Sequence, residues 1–152
     1  MLTRVKSRPS LRFSGRTLFY AWAVATAFSG VPSTVWALVT GSDPLEATWA
    51  AGAMLVPADS GPRVLFASAA LVHSTISLFW ALVFGVWLPR RHVALWALCG
   101  AAVVALIDLG LIAPLFFPSV AALAFWPQFM DHLMWGACLG GVLQLHRSPR
   151  RR

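Results

Sequence analysis

The chain has 152 residues, 59% hydrophobic and 11% charged, and its 12 basic against 5 acidic residues leave a formal net charge of +7. A soluble domain of this length is roughly a quarter charged, so the composition excludes an ordinary water-soluble fold. It also excludes a nucleic-acid partner: between Thr17 and Pro89 the only basic residue is Arg63, and no continuous cationic surface is available.

A bilayer core about 30 Å thick needs roughly 20 predominantly apolar residues per helical crossing. Residues 1–16 form a basic arm carrying Arg4, Lys6, Arg8, Arg12 and Arg16. The apolar run that follows, from about Leu18 to Thr40, exceeds a signal-peptide core and reads as an uncleaved first span. Inside it, Ser29, Gly30, Pro32, Ser33 and Thr34 interrupt the helix near mid-membrane, freeing a carbonyl and offering hydroxyls to occupy it. The next segment predicts a short interfacial helix from Pro44 to about Leu55, with Asp43 as cap and Glu46 as the reciprocal partner of a capping box.

A second span is predicted from about Val64 to Leu88, ended by Pro89 and the basic turn Arg90-Arg91-His92. The third runs from about Val93 to Ala113 and is expected to stop at Pro114. A possible half-helix, Ser119 to Trp126, follows. The fourth span either runs from Ser119 to Leu145 with a kink at Pro127 or begins at Gln128. The fold class expected is therefore an all-α integral membrane protein, a four-transmembrane-helix bundle with short helical outer loops. It occupies residues 17–146, between the basic arm and a basic tail at 147–152. Two hairpins, each with an outer helical segment, suggest internal duplication, although any four-span chain divides this way and the residues match poorly.

The basic residues set the orientation. The arm carries 5, the turn after the second span 2 and the tail 4, whereas the other two connections hold only Arg63. Counting these charges predicts a multi-pass protein of a bacterial-type inner (plasma) membrane with both termini cytoplasmic.

Ionisable groups inside a bilayer are costly and tend to face a bundle interior, where they pair, bind a ligand or carry protons. Four qualify here: His73, Asp108, Asp131 and His132. Counting 1.5 Å per residue from the outer ends places Asp108 and His132 roughly 8 Å deep, Asp131 roughly 6 Å and His73 roughly 16 Å, so all four are expected to share the outer half. Ser77, one turn beyond His73, and Ser33, at the helix interruption, extend this centre. Ala97, Ala101 and Ala105 on the third span, and Gly136 and Gly140 on the fourth, are spaced for close approach.

Three functions fit such a centre. In a transport or proton-coupled component, Asp108 or Asp131 would carry the proton and His73 or His132 relay it. In an accessory subunit the same residues would only join helices. In a metal or haem protein, His73, His132, Asp108 and Asp131 would be the ligand candidates, with the cofactor unspecified. The lipid bilayer is one expected partner, and because four short helices enclose little volume, a second copy or partner membrane subunits are another.

No HExxH or GxSxG string is present and no enzyme class is assigned. Cys99 and Cys138 lie in apolar runs and offer neither a disulfide framework nor a CxxC motif. His92 and His146 read as interface residues. Of eight tryptophans, Trp80 and Trp135 lie deepest and are the ones that would pack inside or stack on a ligand.

Overall fold

The computed structural model describes residues 13–89 and 91–146. Expectations for Arg4, Lys6, Arg8, Arg12, Arg90 and the tail arginines Arg147, Arg150, Arg151 and Arg152 lie outside the described residues. Within them the chain is all-helical, with three segments long and apolar enough to cross a membrane: Gly15–Thr40, Pro62–Trp87 and Val93–Phe116.

The first segment is two helices, α1 (Gly15–Phe28) and α2 (Val31–Thr40). The Ser14 hydroxyl caps α1 by accepting from the Thr17 amide at 3.1 Å. Pro32 has no N–H for the Phe28 carbonyl, so the backbone breaks at Ser29-Gly30 and restarts with the proline in the first turn of α2, where it is tolerated. Gly41 closes α2 in the left-handed region at φ 76°, and the Ser42 amide reaches back to the Ala37 carbonyl at 2.8 Å.

The outer helix, α3 (Glu46–Gly52), is shorter than its apolar spacing predicts. Asp43 is not a capping-box residue. One of its carboxyl oxygens accepts from the Leu45 amide and the other from Trp49 Nε1, both at 2.8 Å, which folds the entry as a turn. α4 (Pro62–Trp87) then runs 26 residues unbroken. The turn to α5 (Val93–Ile107) places His92 at φ 52°, an unusual conformation for a side chain with a Cβ.

The third span does not stop at Pro114. A π-helical segment, Asp108–Ile112, carries the chain into α6 (Ala113–Phe116), with the Ala113 amide bonded to the Asp108 carbonyl five residues back. Widening the turn lets the helix pass a residue that has no N–H for Gly110 and whose ring would crowd that carbonyl. The expected half-helix over 119–126 is reduced to α7 (Pro118–Ala121). The last helix, α8 (Phe125–Leu145), takes Pro127 into its first turn without a kink. Its 21 residues are about 31 Å long. Gln128, Asp131 and His132 in one half and Gln144 at the other end make it less apolar than the three segments above.

α8 packs against α1, α2 and α5. Glycine makes this possible. A Cβ on Gly136 would stand 2.5 Å from Ala101 Cβ and 2.9 Å from the Ala97 carbonyl oxygen, and one on Gly140 would stand 2.7 Å from both Ala94 Cα and Ala97 Cβ. The small-residue stripes expected on these two helices are therefore the contact itself. Around it lie Leu139, Leu143, Ala21, Ala25, Phe84 and Trp135, while Phe19, Val39, Leu71, Phe79 and Leu106 point outward, the distribution of a protein solvated by hydrocarbon.

Candidate functional site

The polar residues of the spans fall into three hydrogen-bonded groups. The first joins α1, α4 and α8. His73 Nε2 lies 3.1 Å from both the Thr26 carbonyl oxygen and Ser29 Oγ, and the Ser29 hydroxyl donates to that same carbonyl at 3.3 Å. The Nε2 proton therefore points at two acceptors. Thr26 Oγ1 is 2.6 Å from Ser77 Oγ, which accepts from Trp135 Nε1 at 2.7 Å. Trp135 also meets Phe84 edge-to-face, and Phe84 meets Trp80 likewise. The two deep tryptophans thus fill the core between helices.

The second group closes the helix break. In an unbroken helix the Ser33 amide would bond the Ser29 carbonyl. Here it donates to Asp131 Oδ1 of α8 at 2.9 Å, so a carboxyl group from another helix caps the start of α2. The Ser33 hydroxyl donates at 3.2 Å to the Gly30 carbonyl, which also accepts the Thr34 amide at 3.1 Å, so the first turn of α2 is bonded from its start.

The third group sits at the π-helical turn. His132 Nδ1 is 2.9 Å from the Gln128 carbonyl oxygen, and its Nε2 is 3.3 Å from Asp108 Oδ2. A carbonyl can only accept, so Nδ1 carries a hydrogen. Were the imidazole neutral in that tautomer and Asp108 ionised, a lone pair would face a carboxylate. The contact is favourable only with one further proton, either on Nε2, giving an ion pair, or on the Asp108 carboxyl. His132 and Asp108 are 28% and 26% exposed, so the pair is partly buried beside the π turn.

The four ionisable residues therefore do not share one hydrogen-bonded network. Asp131 and His132, adjacent in sequence, diverge by about 100° around α8, one toward α2 and the other toward the π turn. His73 binds α1. Ser77 belongs with His73, as its spacing predicts, and Ser33 belongs with Asp131. Among the described residues no three His, Cys, Asp or Glu side chains gather where they could hold a metal ion. His73 and His132 engage different helices and do not form a facing pair of imidazoles.

Thr26 and Gln128 complete the networks and were missed by a search for ionisable groups. The spacing of Thr26 and Ser29, three apart on one face, matches that of His73 and Ser77, four apart on another. That pairing of two polar stripes is the available signal. Gln128 acts through its backbone, and only its position one turn before His132 marks it. No family model, no curated protein and no solved structure matches the chain.

Proposed function

We propose that the chain is a small four-crossing membrane component in which the Asp108–His132 pair takes up and releases a proton in support of transport. The observation that carries this reading is the pairing of both His132 ring nitrogens with acceptors, an arrangement that a proton shared between His132 and Asp108 would satisfy. Two further features fit. The π turn at Asp108 is of a kind frequent at functional sites, and the interrupted α1–α2 span, capped from another helix, has the discontinuity found around transporter sites. α8 serves as the fourth crossing, with Asp131 turned onto the Ser33 amide and His132 onto Asp108. The basic arm, inner turn and tail then share the cytoplasmic face of an inner-type membrane, and assembly with further copies or subunits supplies the volume that the helices lack.

The direct test is nitrogen NMR of the full chain in lipid, read with the infrared carboxyl band. The expected result is either two protonated nitrogens on His132 or one with a protonated Asp108, and loss of one bound proton per chain in Asp108→Asn. A His132 ring with one bare nitrogen beside an ionised Asp108 would overturn the assignment. In liposomes loaded with a pH-sensitive dye, Asp108→Asn and His132→Gln are expected to lower proton flux, whereas Asp43→Asn is not.

A second reading, an accessory subunit whose polar residues only hold helices together, draws on the complete pairing of buried side-chain polar atoms among the described residues. Equal proton binding and flux in the parent chain and both variants would favour it.

A further inference from the structure

Beyond the polar networks, one groove in the described residues combines apolar walls with an unspent charge. Leu55 and Val56, from the chain leaving α3, form one side, and Val64, Ala67 and Leu71 of α4 form the other. It is a shallow, open depression of about 450 Å³ with an almost wholly apolar lining, the shape that a chain lying along the surface fills and an enclosed small molecule does not. Arg63, Ala67 and Leu71 recur every fourth residue and so lie along one stripe of α4, with Arg63 at its N-terminal end. The stripe descends about 12 Å from the guanidinium to Leu71.

Charge and polarity restrict what can lie there. The Ser68 hydroxyl at the groove floor is spent on the Gly52 carbonyl at 2.8 Å, fixing α3 against α4. Arg63 has no ion-pair partner among the described residues. The remaining surface offers hydrocarbon for two turns and a single cation at the membrane boundary, which matches an acyl chain joined to an anionic headgroup.

We propose that this groove binds an anionic phospholipid, its chain along Ala67 and Leu71 and its phosphate on Arg63. The proposal rests on α4 crossing the bilayer and not on the Asp108–His132 pair, so proton binding and lipid binding fail separately. Native mass spectrometry of the full chain, released from bilayers holding equal phosphatidylglycerol and phosphatidylcholine, tests it. One basic residue near an anionic surface corresponds to about fivefold in affinity, so retained phosphatidylglycerol should exceed phosphatidylcholine by about that factor. Arg63→Ala should bring the ratio near one, Arg63→Lys should keep most of it, and Ala67→Trp, which fills the groove from an exposed position, should lower retention of both lipids. An unchanged ratio in Arg63→Ala, unchanged retention in Ala67→Trp, or equal competition by chain-free glycerophosphate would overturn the proposal.

Discussion

Adding one methyl group at Gly136 measures how closely α5 and α8 must approach. The new Cβ would meet Ala101 Cβ at 2.5 Å and the Ala97 carbonyl oxygen at 2.9 Å, the second of these being backbone that no rotamer change can move. Ordinary van der Waals contact between carbons begins near 3.5 Å, so the helices must separate by about 1 Å, loosening the layers around Leu139 and Trp135. Overpacking of this kind costs about 1–3 kcal/mol, and Gly136→Ala is expected in the middle of that range. The double variant Ala101→Gly, Gly136→Ala should recover part of the loss, because it removes the side-chain clash and leaves the carbonyl. Gly141 is the control: nothing lies within 4 Å of a Cβ there, and alanine should be neutral or, through helix propensity, stabilising by up to about 1 kcal/mol. Reversible unfolding in bicelles, followed by steric trapping, reads all three variants. Equal stability for Gly136→Ala and Gly141→Ala would show that the α5–α8 contact is not set by these glycines.

Replacing Asp131 separates hydrogen bonding from shape. Asn retains an oxygen for the Ser33 amide and should be tolerated, whereas Leu leaves that amide unpaired and should cost about 1–3 kcal/mol, visible as faster hydrogen exchange at Ser33. A double-mutant cycle of Trp135→Phe with Ser77→Ala should give a coupling of about 0.6 kcal/mol, typical of side-chain hydrogen bonds between membrane helices. His92→Gly relieves a left-handed conformation at φ 52° and should raise stability by up to about 1 kcal/mol in the same unfolding assay. Asp43→Ala removes the acceptors for both Leu45 and Trp49 and should speed exchange in α3 without altering the amides of α8.

The long apolar stretches were legible because lipid imposes a length and a composition, and the α5–α8 contact because small residues recur every fourth position. Helix ends were less legible where proline stands. Pro32 breaks its helix as expected, but Pro127 sits in the first turn of a helix that starts at Phe125, between the two starts expected, and Pro114 is passed by a π turn that depends on energies spread over several residues. The candidate site was legible as a set of residues and not as a geometry. Depth along the helix axis follows from counting, which placed Asp131 and His132 together. Direction around the axis turns by about 100° per residue, and that rotation sends them to different neighbours. Capping of a broken helix by a distant carboxyl leaves no local pattern, since Ser33 and Asp131 are 98 positions apart.

The two ends of the molecule are fastened by different means. At the end that holds the connection 88–92, the linker is short, Leu88 and Val93 are buried, and the Phe84 ring lies against Gly100, so α4 and α5 are joined chiefly by covalent linkage. At the opposite end, α3 is pressed on α4 through Gly52 and Leu65, and it reaches α7 through a bond of 3.2 Å from the Ser119 hydroxyl to the Ala50 carbonyl. Moving the segment Gly15–Trp87 against the helices from Val93 onward would therefore have to break the Ser33–Asp131 bond at the helix interruption as well as the Ser119–Ala50 bond beside α3.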